Sequence, residues 1–412
     1  MEYIMKKTFA KLLCLVLAVM LMVTCFVSCG ETNYAENNTK IKIGVSGPLS
    51  GGAAVYGIAV KNAAQIAINE INAIEAAGGA GTLGMQFEFV AKDDEHKATN
   101  VSTTYSSLYE SGMQISLGTV TTAPGLEFKE LANDDNVFIL TPSASGDDIP
   151  EYDNAFQMCF ADSNQGSASA VYFNENYQGK QIGIFYKSDE DYSTGIRKTF
   201  LDALDASLKN GIKEASFQEG DNDFSSQVEA LKTCDVIFMP IYYTPASQFM
   251  TKGKGIVKDD AIYYGCDGLD GIDAIDGFDI TTVPQEVSYL SHFNSGATTG
   301  AAKTFIDKYN AAYNEETEPL NQFGAAAYDC VWAIYEALKV AKANGKEFDV
   351  TTSPADFSEI LTEVFTSDNF TFHGVTGKAV NADGTSNISW SDDGFVNKEA
   401  VKYVVKSANS AQ

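Results

Sequence analysis

The sequence predicts an α/β protein made of two Rossmann-like lobes, each a parallel sheet covered by helices. Three observations lead there. Short apolar runs alternate with amphipathic stretches, the pattern of parallel strands joined by crossover helices. The alternation begins at residue 41 and restarts near residue 181. Roughly 370 of the 412 residues follow the N-terminal leader and its linker, more than one ordinary core holds, so two units are expected.

The elements follow in order. IKIGVS (41–46) reads as a strand, and the Gly-rich GPLSGGAAVYG turns into a helix with Ile58, Ala63, Ile66, Ala67 and Ile71 on one face. QFEFVA (86–91), ISLGT (115–119) and NVFILT (136–141) are strands, with a helix near 97–111 and another before the last strand. QIGIFY (181–186) opens the second unit, and a helix starts at about Tyr192. CDVIFMPI (234–241) and AIYYGCD (261–267) are strands flanking a helix around 245–256. After EVSYLSHF (286–293) come two long helices at about 298–314 and 322–344, a polar Gly/Asn-rich stretch, and a strand-like VKYVVK (401–406).

The first residues are read as a targeting segment. Lys6, Lys7 and Lys11 form a basic region, and Leu12 to Val23 an apolar one. Small residues then lead to Cys29, the order of a secretory signal. This junction resembles a bacterial lipobox, which implies that Cys29 is lipidated and anchors the chain on the extracytoplasmic face of the cell membrane. Met5, in MKK, is an alternative start, and an uncleaved membrane helix is the competing reading of the apolar run. Residues 29–40 read as a polar tether.

Residues 1–28 carry a net +2, so the rest stands at −29 against −27 for the whole chain. Such acidity repels nucleic acid, and that class is set aside. A single arginine, Arg197, leaves no basis for a site of several guanidinium forks around phosphate. Cys159, Cys234, Cys266 and Cys330 are scattered in apolar runs and read as small core residues. No metal site and no cofactor are expected. Three histidines (His96, His292, His373), no HExxH, no GxSxG and no P-loop argue against an enzyme. KDDEH (92–96) reads as an acidic loop opening a helix.

Ligands of open parallel sheets bind beyond the carboxyl ends of the strands. The loops there carry Tyr56, Thr119, Thr121, Thr122, Ser143, Ser145, Tyr192, Tyr243 and Asp267: hydroxyls, aromatics and one acid. IKIGVSGPLSGGAAVYG, IAINEIN, LGTVTTAPGL, ILTPSASG, DSNQG, MPIYYTP, GCDGLDG and AAAYD occur in one order. In that order the chain resembles the solute-binding lipoproteins of ABC importers, in the branched-chain amino acid-binding family. The resemblance implies a type I periplasmic-binding-protein fold, two lobes joined by three crossover strands. It implies a first lobe of 41–158 and 288–388, and a second of 159–287 and 389–408. It also implies a monomer that delivers an amino acid to permease subunits. A sensory protein of the same fold, binding a small amide or acid, is the alternative.

The side-chain chemistry agrees with a zwitterionic ligand. With arginine so scarce, a carboxylate must be held by hydroxyls and by backbone N–H groups at a helix N-terminus, which Thr121-Thr122-Ala123-Pro124 can supply. By resemblance Thr122 binds the carboxylate, with Thr121 as its neighbour, and Ser143 and Ser145 share carboxylate and ammonium contacts. Asp267 is expected to pair the ammonium, because a desolvated cation needs a counter-charge. Tyr56, Tyr192 and Tyr243 are expected to line the ligand, with Tyr242 a one-residue alternative to Tyr243. Asp270, Asp273, Asp276 and Asp279 recur every third residue, which is not calcium-loop spacing, and read as caps or a solvated face.

Overall fold

The computed structural model describes residues 33–407, so the leader and Cys29 lie outside the described residues. The first sheet has the order β2-β1-β3-β4-β5 and is parallel throughout. Its strands are β1 (Ile41–Gly47), β2 (Phe87–Asp93), β3 (Ile115–Ser116), β4 (Phe138–Thr141) and β5 (Ala155–Gln157). The second has the order β13-β10-β9-β8-β6-β7. It is built from β6 (Ile182–Lys187), β7 (Lys213–Phe217), β8 (Val236–Met239), β9 (Ile262–Gly265), β10 (Glu286–Ser291) and β13 (Val401–Lys406). Only β13 runs antiparallel to its neighbour. β11 (Phe372–Gly374) and β12 (Ser386–Ile388) form a separate antiparallel pair.

Helices cover both sheets. α1 (Ala54–Ala77), α2 (Ala98–Glu110) and α3 (Thr122–Asp134) belong to the first unit. α4 (Asp162–Asn176), α5 (Asp191–Ala203), α6 (Ala206–Lys209), α7 (Ser225–Leu231) and α8 (Tyr243–Gly253) belong to the second. α9 (Gly300–Ala312), α10 (Gln322–Ala343) and α11 (Pro354–Phe365) return to the first. β1 alternates, with Ile41, Ile43 and Val45 buried on one face and Lys42, Gly44 and Ser46 on the other. α10 lies on α1 through a seam of small residues. Ala325, Ala326 and Ala327 are fully buried, and a Cβ on Gly324 would stand 3.0 Å from the Ala59 carbonyl oxygen. The AAAYD stretch is therefore a helix–helix contact.

Three segments pass between the sheets, at about 158–161, 291–293 and 389–400; the third is bonded to the chain at the first, and the Phe160 and His292 rings of the first two meet edge-on at 5.2 Å. Lys398 Nζ donates to the Met158 carbonyl at 2.7 Å, and Trp390 Nε1 donates to the Gln157 carbonyl at 2.7 Å. Lys398 is buried, and that burial pushes its ammonium down to about 8, with the Asp329 charge opposing. Asp329, on α10, accepts the Val375 and Thr376 N–H groups at 2.9 Å each and the Thr376 hydroxyl. β10 straddles the expected boundary at residue 287 and sits in the second sheet along its whole length.

The polar tether expected over 29–40 is docked from residue 33 onward. Ala35 is fully buried, and Asn38 Nδ2 donates to the Gly112 carbonyl at 2.8 Å and to Gln114 Oε1 at 3.1 Å. The Tyr34 and Tyr109 rings meet edge-on at 5.6 Å. The stretch has little apolar area, so composition suggested a free linker. Amide hydrogen bonds beside β3 hold it instead.

Candidate functional site

The first wall of the site is built on the N-terminal ends of α1 and α3. Thr121 stands at the N-cap of α3 in extended backbone (φ −122°, ψ 153°), yet its hydroxyl does not cap the helix. It lies 2.9 Å from His96 Nδ1 instead. The first-turn N–H groups of α3 are thus not satisfied by their own cap, and a helix N-terminus favours negative charge there. Thr122 Oγ1 is buried without a hydrogen-bond partner among the described residues. Ser143 donates to the Val120 carbonyl at 2.7 Å, and Ser145 donates to Asp162 Oδ1 at 2.7 Å. Both serine protons are committed, so these oxygens can accept from an ammonium but have no proton for a carboxylate. That narrows the shared role expected for them.

The second wall centres on Asp267, which begins the short turn Asp267–Leu269 after β9. Its Oδ1 accepts from the Tyr192 hydroxyl at 2.7 Å, and its backbone N–H donates to Gln165 Oε1 at 3.0 Å. The Tyr192 oxygen also accepts from the Gly268 N–H at 2.9 Å. Asp267 Oδ2 has no partner, although the residue is only 1% exposed. Burial pushes its carboxyl up to about 7, against the pull of the Tyr192, Gln165 and Gly268 hydrogen bonds. Asp162, beside it at the start of α4, is also buried and raised well above the carboxylate range, chiefly by desolvation. Neither acid forms an ion pair among the described residues.

The walls touch. The Tyr56 hydroxyl donates to the Gly268 carbonyl, and the Tyr243 N–H reaches the Tyr56 oxygen at 3.4 Å. Tyr243 Oη accepts from the Val55 N–H at 3.3 Å, and Thr244 Oγ1 donates to the Gly52 carbonyl at 2.7 Å. Tyr56, Thr121, Thr122, Ser143, Ser145, Tyr192, Tyr243 and Asp267 are all buried. Tyr243 spends its hydroxyl on this lobe-to-lobe contact. Tyr242 is the ring in the middle of the site: it stacks on Tyr192 at 4.6 Å with an interplanar angle of 12° and meets His96 at 5.0 Å. The reason is local, since α8 begins at Tyr243 and the preceding extended residue points the other way.

Sequence reasoning missed Asp162, Gln165, His96 and Glu190. DSNQG contains the first two, and an acid at a helix start followed by a glutamine on the same face was the available signal. The acid run divides as its spacing suggests. Asp270 accepts from the Tyr289 hydroxyl at 2.9 Å and from the Gln322 N–H at 2.9 Å, which caps α10. Asp279 caps the turn Ile280–Thr282, while Asp273 and Asp276 are exposed.

This architecture and cleft define a two-lobed solute-binding protein. Residues 40–382 match the sequence model of the family described as periplasmic binding protein, and the chain belongs to that family. Over 356 residues it is 26% identical to the leucine-, isoleucine-, valine-, threonine-, and alanine-binding protein of Pseudomonas aeruginosa, covering 80% of this chain and 89% of that one. It is 26% identical over 233 residues to the Leu/Ile/Val-binding protein BraC3 of Rhizobium johnstonii, covering 56% of this chain and 62% of that protein, just under two thirds of its length. The branched-chain amino acid transporter substrate-binding protein LivJ of Streptococcus pneumoniae, solved with isoleucine, superposes with a TM-score of 0.67 and 27% identity, covering 88% of this chain and 100% of that one. The leucine-binding protein LivK of Thermotoga maritima gives a TM-score of 0.72 at 22% identity, covering 90% and 96%. The fold is the type I periplasmic-binding-protein fold.

Proposed function

We propose that this protein captures an amino acid, branched-chain or otherwise aliphatic, between its two lobes outside the cytoplasm and delivers it to an ABC permease. One observation carries the reading: Asp267 Oδ2 on one wall and Thr122 Oγ1 on the other are both buried and unpartnered. An ammonium would supply what the first lacks, and a carboxylate what the second lacks. The lobes in this proposal are 41–158 with 292–388, and 159–291 with the final strand, the boundary moved so that β10 stays whole in the second sheet. Thr122, Thr121 and the α3 N-terminus take the carboxylate, and Asp267 takes the ammonium beside the Ser143 and Ser145 oxygens. Tyr56, Tyr192, Tyr242 and Tyr243 form the aromatic enclosure. No step in this role needs covalent catalysis. The relatives named above are amino acid binders by name, which supports the choice of cargo.

The reading has a pH signature. Burial with the lobes in contact pushes the Asp267 carboxyl up to about 7, and it must be ionised to pair an ammonium. Affinity is therefore full above pH 7 and falls below it, by up to about tenfold per pH unit while the bound carboxylate stays ionised. Ligand-free stability moves the other way. The carboxyl is raised from 3.8, so its burial penalty sets in as pH rises through that value and is complete above about 7. Titration calorimetry with leucine, isoleucine, valine, smaller amino acids and ammonium-free acids such as isocaproate, at several pH values, checks both cargo and sign. Tighter binding of isocaproate than of leucine would overturn the reading.

The anchor is part of the same proposal. Lipidation of Cys29 would hold the protein on the membrane, and Cys29→Ser is expected to move it from the membrane fraction to the soluble one. Retention in the membrane fraction would favour an uncleaved apolar helix.

A further inference from the structure

His96 and Glu190 meet across the two lobes, with His96 Nε2 3.2 Å from Glu190 Oε1. The other nitrogen, Nδ1, lies 2.9 Å from Thr121 Oγ1 at the N-cap of α3. One ring thus touches the residue at the carboxylate end of the site and the residue that precedes α5 on the opposite lobe. Glu190 is buried, with a side chain only 6% exposed. The loop carrying His96 is held in an unfavourable form. Glu95 (φ 56°) and His96 (φ 60°) are consecutive non-glycine residues in the left-handed region, which L side chains adopt at a cost. Asp93 and Asp94 hold them there by accepting the Glu95 and His96 N–H groups at 2.9 Å each.

We propose that His96 is a positioning residue that ties lobe closure to carboxylate capture, with the proton on its ring deciding what Thr121 offers the ligand. The proposal rests on the reading that Thr121 borders the ligand's carboxylate. A carboxylate can only accept, so Nε2 carries the hydrogen that faces Glu190. In the neutral ring Nδ1 is then an acceptor, and the Thr121 hydroxyl donates to it. That proton is turned away from the site. When the ring gains a second proton, Nδ1 becomes a donor, and Thr121 accepts from it. The Thr121 hydroxyl hydrogen is then free for the ligand's carboxylate, and the pair with Glu190 becomes a full ion pair across the cleft.

The charged groups around the ring are fixed by the same loops. On its own loop are Asp94, which accepts the His96 N–H, and the exposed Lys97–Glu95 pair. From the facing lobe come Glu190 itself and Lys187, 3.6 Å from the Glu190 carboxylate and bonded also to Glu219 at 2.6 Å. The rim beyond holds Asp189, Asp191 and Asp221, and the Tyr242 ring stands edge-on to the imidazole. With the lobes in contact, this acidic rim stands beside the ring.

The test measures leucine affinity by calorimetry and, separately, the radius of gyration of the ligand-free protein by small-angle scattering. His96→Ala and Glu190→Gln should each weaken leucine binding by about 5- to 10-fold and expand the free protein, and the double variant should be no worse than either alone. Nitrogen-15 NMR of the leucine-bound protein should show the His96 ring protonated on both nitrogens. His96→Lys, which keeps a charge toward Glu190 but has no second nitrogen for Thr121, should recover closure and not affinity. Additive single effects, or a His96 ring that keeps an unprotonated nitrogen in the leucine complex, would overturn the proposal. If wild type binds none of the amino acids tried, the amino acid reading fails by itself, and unchanged scattering in both single variants then removes the latch as well.

Discussion

Asp267→Ala is expected to weaken amino acid binding by about 3 kcal/mol, on the order of a hundredfold in Kd. The reason is asymmetric. A bound ammonium would lose the carboxylate that faces it with a free oxygen, and Asp162 beside it is held neutral by burial and bonded to Ser145. The free protein has less to lose. Asp267 is already desolvated and its Oδ2 has no partner among the described residues, while its Oδ1 accepts from the Tyr192 hydroxyl at 2.7 Å. Asp267→Asn keeps an acceptor for Tyr192 and removes the charge, so its ligand-free melting temperature should equal or exceed that of wild type while affinity drops as for alanine. Calorimetry on the two variants beside a ligand-free melt separates binding from folding. Unchanged affinity in both would refute the ammonium pairing.

Asp329→Ala is expected to cost about 3 kcal/mol of folding stability, with no direct effect on the site. Asp329 is 1% exposed and accepts two backbone N–H groups and the Thr376 hydroxyl, which fastens α10 to the chain after β11. Its removal orphans three donors and leaves the buried Lys398 ammonium without the nearest opposing charge. The approach is close enough to depend on a glycine: a Cβ at Gly374 would fall 2.6 Å from Asp329 Oδ2. Urea denaturation should show a lower midpoint at unchanged slope. Adding Lys398→Met to Asp329→Ala should recover part of the loss, because the stranded cation is then gone. A loss below about 1 kcal/mol in the single variant would show that water replaces the carboxylate.

Much of the architecture was readable because parallel strands buried on both faces are contiguous apolar runs. β6, β8 and β9 fall where those runs lie; β1 was legible from its Ile41, Ile43 and Val45 alternation, and the antiparallel, half-exposed β13 from its β-branched composition. What escaped notice lacked that signal. β5 is three residues long, and β7 (KEASF) has one edge and three exposed side chains. α4 was missed because its buried face includes Gln165, Gly166 and Ser169, which carry no hydrophobic periodicity. Gly166 is there for contact, since a Cβ would stand 2.6 Å from the Ile196 carbonyl oxygen of α5. In the site, the choice between Tyr242 and Tyr243 turned on the first residue of α8, a boundary that propensity does not fix to one position. His96 was read as part of an acidic helix start, and only the third dimension brings it to Thr121 and Glu190.

The docked stretch from residue 33 has a mechanical consequence for a chain held by Cys29. Only four peptide steps separate that cysteine from Asn33, a span of at most about 14 Å. Asn33 Nδ2 donates to the Thr351 carbonyl at 3.2 Å, and Tyr34 lies on Tyr109, both in the first lobe. The moorings would therefore hold one half of the molecule close against the bilayer, and the other half would do the swinging. A capture cycle would then be a hinged door on a fixed frame, with its open edge kept within reach of the permease and not wandering on a long rope.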